Sequence, residues 1–431
     1  MLVEFSVENY RSFKDKVTFS MLASDDNSYE HSNVISIADG TRILKSAVIY
    51  GANASGKSNL IYALEFISLL LYKSRKMNPG EPIEDVMPFK LCPELKNKPS
   101  RFEVMFYSDG VKYVYGFAVT RTEVLEEYLH RFDSNSDESL VMFSRDRSLD
   151  KEYEFVNVAK PDVLEYLCQF NAENKLYLST AVLFNYSDFN SIYNTLVDLE
   201  YFKYIAPYRA LREGYFDKNT VSDTARTWIE KAVKWVSAID VGISDIPIQE
   251  NRDLFENDFT WGNDDYWDKY LKILKTIDTI HTAQATQYSA NFNFFGEESL
   301  GTRNFFTTAI SIAEKMSRSG VFIADELVHM HTLLVQHIVG LFHNLNENPN
   351  QSQMIFTTHD TNLLNSEIFR RDQIWFMEKN PDSGASDLYS LYDYELPENA
   401  KEDDIDIEKG YLFGIYGAIP FLGGKSNVQK N

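Results

Sequence analysis

An octapeptide near the amino terminus has the residue types and the spacing that could hold a polyphosphate. Residues 51–58 read Gly-Ala-Asn-Ala-Ser-Gly-Lys-Ser and match the phosphate-loop (Walker A) pattern of a glycine, four further residues and Gly-Lys-Ser. In such a loop the backbone N–H groups wrap around phosphate oxygens, and the N-terminus of the following helix adds positive potential. We expect the Lys57 ammonium group to reach the β and γ phosphates, with a catalytic role, and the Ser58 hydroxyl to bind Mg²⁺. The cofactor-binding residues expected from this segment are Asn53, Ala54, Ser55, Gly56, Lys57, Ser58 and Asn59.

Two adjacent carboxylates follow an apolar segment, residues 321–324, much further along the chain. Asp325 is in a position to hold hydrated Mg²⁺, which leaves Glu326 to orient and deprotonate an attacking water. This division of roles predicts hydrolysis of a bound nucleotide. An acidic pair at the edge of a sheet without a catalytic function is the alternative interpretation.

A histidine and a serine are candidates for contacts with the terminal phosphate. His359 follows the next predicted strand, residues 354–357, so it projects from the carboxyl edge of the sheet, where it could touch the γ phosphate. Ser299 and Gly301 precede a predicted helix and form a second anion-binding helix start. Because the chain already has a phosphate loop, this second start is useful only if it covers a nucleotide held by another subunit. The alternatives are a structural histidine and an ordinary helix cap.

Hydrophobic periodicity predicts the elements that position these residues. The two-residue alternation typical of antiparallel strands occurs at residues 2–8, 17–21, 102–106 and 113–119. Residues 47–50 form an apolar strand that enters the phosphate loop, and an amphipathic helix follows. Helices and strands then alternate over residues 302–357, which predicts an α/β core with parallel strands.

The expected fold class is α/β, with a mixed sheet that has a parallel core, an antiparallel β subdomain and a mainly helical insertion. We expect the N-terminal half of the core at residues 1–130, the insertion at 131–290 and the C-terminal half at 291–431. Within the insertion, helices are predicted at residues 161–173, 188–203, 222–237 and 266–281.

The composition limits the partners that the chain can have. It has 64 acidic against 42 basic side chains and a formal net charge of −22, so its surface repels polyphosphate unless a local basic strip overrides the repulsion. Nucleic-acid binding is therefore possible but not supported by charge, whereas an acidic surface suits a basic partner protein or simply serves solubility. Two cysteines cannot form a disulfide framework. We find no export signal and no apolar segment of about 20 residues that would span a membrane, so we expect a cytoplasmic location.

The order of these four motifs resembles that of the ABC-type ATPases, which include transporter subunits, SMC and RecF-like proteins and the OLD-family ATPases. Residues 10–13, Tyr-Arg-Ser-Phe, look like the opening of the SMC and RecF-like branch, and this similarity implies that Arg11 contacts the nucleotide. Within that class the chain looks like the prokaryotic AAA ATPases of the RloA and AbiL-type abortive-infection group. The segments that carry this likeness are residues 88–91, 113–117, 240–243, 299–302, 331–334 and 416–421.

The resemblance implies a fold, cofactors and partners. It implies an ABC-type P-loop NTPase core with ATP and Mg²⁺ as cofactors. It also implies a homodimer or higher homo-oligomer, in which Lys57 of one chain and Ser299 of another share each ATP. The expected partner is an effector protein, a TOPRIM or RloB-like nuclease, that the ATPase restrains in anti-phage defence. A RecF- or SMC-like DNA repair or maintenance ATPase is the alternative function.

Three departures from the family pattern concern loops and acidic pairs. No glutamine precedes Gln169, so the usual glutamine loop is missing, and residues 88–91 are the candidate replacement. Residues 327–330 stand where a turn rich in acidic, Asn or Ser residues is expected, and His329 with His331 suggests a metal site as a weak alternative. Asp404 and Asp406 have the spacing of a nuclease acid pair, but no strand and glutamate complete the set, so a built-in nuclease is not expected.

Overall fold

A computed structural model gives the fold of most of the chain. It describes residues 1–133, 138–199, 201–202, 216–217, 220–221, 223–239, 243–246, 278–283, 285–294, 296–327, 330–364, 367–394 and 406–419. Asp404 and His329 lie outside these residues, so the expectations for them stay predictions.

The regular elements are numbered in chain order. The strands are β1 (Leu2–Glu8), β2 (Val17–Ser20), β3 (Val34–Ser36), β4 (Arg42–Leu44), β5 (Ser46–Tyr50), β6 (Ser100–Ser108), β7 (Val111–Val119), β8 (Val124–Phe132), β9 (Ser139–Asp146), β10 (Tyr153–Phe155), β11 (Tyr201–Phe202), β12 (Phe216–Asp217), β13 (Thr220–Val221), β14 (Ile243–Asp245), β15 (Asp278–Ala283), β16 (Tyr288–Asn293), β17 (Val321–Ala324), β18 (Gln353–Thr357), β19 (Ile374–Lys379) and β20 (Ser386–Ser390). The α-helices are α1 (Glu30–Asn33), α2 (Lys57–Ser74), α3 (Pro161–Leu167), α4 (Tyr177–Leu183), α5 (Asn190–Val197), α6 (Asp223–Ile239), α7 (Leu300–Met316), α8 (Thr332–His343) and α9 (Ile407–Leu412).

The first sheet is antiparallel, as the two-residue alternation predicts. Its strand order is β10-β9-β8-β7-β6-β1-β2. Asp109 and Gly110 join β6 to β7 with φ angles of 49° and 77°, the left-handed pair that a two-residue hairpin turn requires. One face of this sheet packs on α2, where Phe102 and Phe117 stack with their ring centroids 5.2 Å apart.

The second sheet has a parallel core, which confirms the expected α/β fold class. Its order is β11-β17-β18-β5-β19-β20, with only the β19–β20 pair antiparallel. Every residue of β5, β17 and β18 is buried, as expected for parallel strands covered on both faces. Ile49 of β5 lies in the core formed with α2, while its neighbour Val48 lies in the core formed with α7 and α8.

The region between the two halves of the core is built from short helices and strands. The helices predicted at 161–173 and 222–237 correspond to α3 with a following 3-10 turn and to α6. The helix predicted at 188–203 corresponds to α5 but is wrong at its end, because residues 201–202 form β11, which pairs with β17. The helix predicted at 266–281 is wrong at its end, because residues 278–283 form β15, which pairs with β16. Its central residues, Thr-Ile-His-Thr, include three β-branched side chains, which favour a strand. The domain boundaries at 130 and 290 stay predictions. None of the described helices is long and apolar enough to cross a membrane.

Gln353 joins the two sheets. Its side chain is fully buried, and its amide group donates to the carbonyl oxygens of Leu2 (3.0 Å) and Leu44 (3.1 Å) while its oxygen accepts from the Leu2 N–H (2.6 Å). Leu2 belongs to the antiparallel sheet and Gln353 to the parallel one. One amide side chain therefore satisfies three backbone groups where the sheets meet.

Gln353→Leu should destabilise the fold by about 2–4 kcal/mol, because an apolar side chain leaves these backbone groups buried without partners. The measurement is the urea midpoint of unfolding. Gln169→Leu is the control, since Gln169 is exposed and bonds only the nearby Tyr166 carbonyl, so its effect should stay below about 0.5 kcal/mol. Equal midpoints for the two variants would contradict the role given to Gln353.

Candidate functional site

The phosphate loop lies between β5 and α2, as its sequence context predicts, and its glycines are required by close contacts. Gly56 has a φ of 122°, and a Cβ atom there would lie 2.3 Å from the Ser386 hydroxyl oxygen and 2.9 Å from that of Ser12. A Cβ atom on Gly51 would lie 2.3 Å from the Met377 carbonyl oxygen. Neighbouring segments therefore press on the loop from behind and fix its path.

The loop and the start of α2 have the features of an anion site. Gly56 is the N-cap of α2, so no side chain caps the helix, and its first turn has no acidic residue. The N–H groups of that turn are thus left for an external acceptor. Asn53 and Ala54 are exposed, and the buried Ser55 hydroxyl has no hydrogen-bond partner among the described residues. These features fit the phosphates of a nucleotide.

Lys57 has a strongly perturbed environment. Its ammonium group is buried in the loop and donates to the carbonyl oxygens of Gly51 (2.8 Å) and Ala52 (3.1 Å). Burial lowers the pKa of Lys57 from 10.5 to about 8, and the carboxylates of Glu326 and Asp325 offset part of this shift. A phosphate anion beside the ammonium group would stabilise its charged form.

Thr357 bonds the Asp325 carboxylate and the Glu326 backbone. Its side chain is fully buried at the end of β18, and its hydroxyl donates to Asp325 Oδ1 (2.8 Å) while it accepts from the Glu326 N–H (3.0 Å). Glu326 has a φ of 56°, a left-handed conformation that is uncommon for a residue other than glycine. Thr357 was not predicted from the sequence as a functional residue. The feature that could have indicated it is a hydroxyl side chain at the end of an otherwise apolar strand.

His359 lies beside Glu326, with 2.7 Å between Nε2 and Oε1. Burial, followed by the nearby Lys57 ammonium group, lowers the pKa of His359, although the Glu326 carboxylate opposes this. The segment after His359 is anchored, because the Tyr50 hydroxyl donates to the Asp360 carbonyl (3.2 Å) and Thr332 bonds the Asp360 carboxylate. The structure therefore brings together the three residues predicted to be catalytic, Lys57, Glu326 and His359.

Arg11 lies beside the phosphate loop, next to the segment that could replace the missing glutamine. A pocket of about 300 Å³ is lined by Arg11, Ser12, Asn59, residues 87–91, Lys379 and Gly384. The Arg11 guanidinium group stacks over Tyr62 of α2, 4.7 Å from the ring centroid. The Asn59 amide donates to the Ser12 hydroxyl (2.8 Å). Roles of Arg11 and Asn59 in nucleotide binding stay predictions, and so does the replacement of the glutamine loop.

Ser299 has a local role in its own chain. It is the N-cap of α7, and its hydroxyl accepts from the Thr302 N–H (3.1 Å). Among the described residues no contact joins Ser299 or Gly301 to the phosphate loop of the same chain. Leu300 between them is about half exposed. Both interpretations, a helix cap and a contact to a second subunit, stay compatible with this position.

The predicted Mg²⁺ ligands are Ser58, at the start of α2, and Asp325, which Thr357 positions. The alternative metal site at the histidines has no support in the described residues. His331 caps α8, since its Nδ1 accepts from the Leu333 N–H (3.2 Å). Within the described ranges, no group of three or more His, Cys, Asp or Glu side chains could hold a metal ion.

Comparison with protein families assigns the chain to a family. Residues 46–365 match a family described as "AAA domain, putative AbiEii toxin, Type IV TA system". The chain belongs to this AAA family. Membership supports ATP binding and hydrolysis at the level of the family, and the matched segment contains the phosphate loop, the carboxylate pair and His359. The membership of the narrower RloA and AbiL-type group stays a prediction.

Similar solved structures are SMC head domains. One from Thermotoga maritima is 12% identical with a TM-score of 0.40, covering 92% of this chain and 99% of that chain. An SmcHead bound to the C-winged helix domain of ScpA is 13% identical with a TM-score of 0.41, covering 90% and 97%. A head with an extended coiled coil bound to the C-terminal domain of ScpA, from Pyrococcus furiosus, is 15% identical with a TM-score of 0.39, covering 90% and 96%. Comparison with curated proteins gave no match.

The pKa of Lys57 predicts a pH dependence of nucleotide binding. Because the lowered pKa of about 8 makes the ammonium group lose its proton as the pH rises past 8, ATP affinity should fall about tenfold between pH 7 and pH 9. Titration calorimetry with ATP at several pH values measures this. Lys57→Arg keeps its charge throughout, so its affinity should change much less. Parallel curves for the two proteins would contradict a lowered pKa at Lys57.

Thr357→Val should lower the rate of hydrolysis per folded molecule by about 10- to 100-fold, because the Asp325 carboxylate and the Glu326 backbone lose the hydroxyl that positions them. ATP affinity measured without Mg²⁺ should change less than about twofold, since Lys57 and the loop are untouched. Steady-state kinetics with a separate binding measurement tests this. Thr357→Ser keeps the hydroxyl and should retain most of the rate. A Val variant with parallel losses of affinity and rate would point to a general structural role instead.

Proposed function

We propose that this chain is a Mg²⁺-dependent ATPase of the ABC type that acts as a nucleotide-gated dimeric switch. The observation that carries the proposal is the meeting of Lys57, Glu326 and His359 at the carboxyl edge of one parallel sheet. A buried ammonium group, a base and an imidazole placed together beside an uncapped helix start match the needs of phosphoanhydride hydrolysis.

Each side chain has a proposed role. The phosphate loop and α2 bind the triphosphate, with Lys57 at its outer phosphates and Arg11 as a further contact. Ser58 and Asp325 hold Mg²⁺, which neutralises phosphate charge when bound. Glu326 accepts a proton from the attacking water. His359, next to Glu326, contacts the γ phosphate.

The proposed dimer follows from the position of the second helix start, at Ser299 and Gly301. Ser299 caps α7, which begins at Leu300, and among the described residues no contact joins Ser299 or Gly301 to the phosphate loop of the same chain. In the proposed closed state, Ser299 of one protomer covers the ATP bound by Lys57 of its partner. ATP then stabilises this state by the difference between its affinities for the closed and open forms.

The proposed biological role is control of an effector in anti-phage defence, in the cytoplasm. The effector is proposed to be a TOPRIM or RloB-like nuclease, and this step rests on the sequence resemblance. The DNA repair or maintenance role receives no support from the net charge of −22. ATP-dependent, salt-sensitive shifts of duplex DNA in electrophoresis would favour that alternative instead.

Glu326→Gln should lower ATP turnover at least about 100-fold while ATP still binds. The trapped nucleotide should favour the closed dimer, so light scattering should show twice the monomer mass with ATP and the monomer mass without it. Glu84→Gln, an exposed carboxylate outside the site, is the control and should behave like the wild type. Unchanged phosphate release in Glu326→Gln would remove the assignment of the base.

A mixing experiment tests whether two chains share each ATP. Lys57→Ala and Ser299→Arg should each abolish turnover. Each substitution removes one of the two contributing groups from both ATP sites of the homodimer. In a mixed dimer, the intact Lys57 of one protomer faces the intact Ser299 of its partner, so mixing the two inactive variants should restore activity at one site. No recovery on mixing, with dimers present in solution, would contradict the shared site.

A further inference from the structure

An exposed apolar surface lies on the region between the two halves of the core. We call it the aromatic patch, and it consists of Val163, Tyr166, Phe170, Leu183 and Phe184, which are 43%, 61%, 44%, 40% and 46% exposed. Its members form one surface, since the ring centroids of Tyr166 and Phe170 are 5.5 Å apart and those of Phe170 and Phe184 are 5.0 Å apart. A contiguous exposed patch of this kind marks an interaction site more often than scattered apolar residues do.

The side chains of the aromatic patch are not part of the buried core. The inward face of α3 is formed by Leu164 and Leu167, which are buried, while Val163 and Tyr166 of the same helix point to solvent. A surface helix usually has a polar outer face, so α3 departs from the pattern. The exposed aromatic side chain of this face, Tyr166, therefore contacts Phe170 of the patch rather than contributing to the buried core.

The charge around the patch selects the kind of partner. Residues 160–190, which carry the patch and the N-cap of α3, have four exposed carboxylates, Asp162, Glu165, Glu173 and Asp188, against two lysines, Lys160 and Lys175. Arg147 lies 3.5 Å from Glu173. Lys151 lies 3.9 Å from Glu165. Both side chains are more than half exposed, so this pairing is weak. A second copy of the chain would bring like charges, since its net charge is −22, and anionic lipid would be repelled for the same reason.

We infer that the aromatic patch binds a basic, amphipathic segment of a partner protein. Leucine-type side chains of such a segment would cover Tyr166, Phe170 and Phe184, and its lysines or arginines would face the surrounding carboxylates. Tyrosine and phenylalanine are suited to this role because they present a large apolar area with few rotatable bonds.

The patch is tied to the helix that begins at the phosphate loop. Ser179 of α4 donates to the Leu71 carbonyl near the end of α2 (2.9 Å), and the Leu176 N–H donates to the Ser74 hydroxyl (3.2 Å). Leu183 and Phe184 lie at the other end of α4. A shift of α2 on nucleotide binding would therefore move part of the patch. This link to ATP rests on the proposed function, whereas the binding surface does not.

The test uses a fluorescently labelled 14-residue helical peptide that contains only leucine and lysine. Its binding to the protein is measured by fluorescence anisotropy in the absence of nucleotide. It should bind the full-length wild-type chain with one-to-one saturation, and Tyr166→Ser/Phe170→Ser/Phe184→Ser should lose at least about tenfold in affinity. A matched control, Leu22→Ser/Tyr288→Ser/Leu345→Ser, removes three exposed apolar side chains elsewhere and should bind like the wild type. Asp162→Asn/Glu165→Gln/Asp188→Asn should bind more weakly and with less dependence on salt.

Three results would overturn the inference. The first is equal peptide affinity for the patch variant and the matched control. The second is equally tight binding of a leucine-glutamate peptide, which would remove the charge argument. The third is patch-dependent self-association in light scattering, or patch-dependent binding to phosphatidylcholine vesicles, which would identify a different occupant. Because the assay contains no ATP, its failure is separate from a failure of the Glu326→Gln experiment. The same assay repeated with ATP on Glu326→Gln then measures the coupling.

Discussion

The parallel register of three strands is the constraint on which the site depends. Ala324 of β17 lies opposite Phe356 of β18, and Phe356 lies opposite Val48 of β5. The residues that follow these positions therefore lie at one edge of the sheet. Because the side chains come from segments far apart in sequence, a slip of one residue in either pairing would turn a functional side chain to the opposite face.

The electrostatics of this edge are those of a site prepared for an anion. The Lys57 ammonium group is partly removed from water and bonded to two carbonyl oxygens, so its charge is less stable than on a free lysine. The first turn of α2 has unused N–H groups and no acid. Asp325 and Glu326 follow β17, which lies two strands from β5, and they supply negative charge near the Lys57 ammonium group. Asp325 would hold Mg²⁺ when the ion binds. The protein thus carries an unfavourable arrangement that a Mg²⁺ nucleotide would relieve.

Helix α2 connects this chemistry to the rest of the molecule. It lies between the antiparallel sheet and the parallel sheet, with its first turn at the phosphate loop and its last turn bonded to α4. Glu127 of β8 strengthens the same junction, since its buried carboxylate accepts from the Tyr177 N–H (2.5 Å) and the Leu178 N–H (3.0 Å) at the start of α4. Packed contacts at both ends of α2 thus join the phosphate loop to α4, which carries part of the aromatic patch.

The phosphate loop, the strand before it and the helix after it could be predicted from the amino-acid sequence alone, since these features depend on spacing over a few residues. Periodicity likewise predicted the antiparallel strands and α7. The prediction failed at residues 278–283, where a helical pattern ends in β15 because strand pairing with β16 outweighs local preference. The roles of Thr357 and Gln353 and the continuity of the aromatic patch are visible only in the folded structure. Each of these depends on contacts between residues distant in the chain, and such contacts leave no periodic signal in a single sequence.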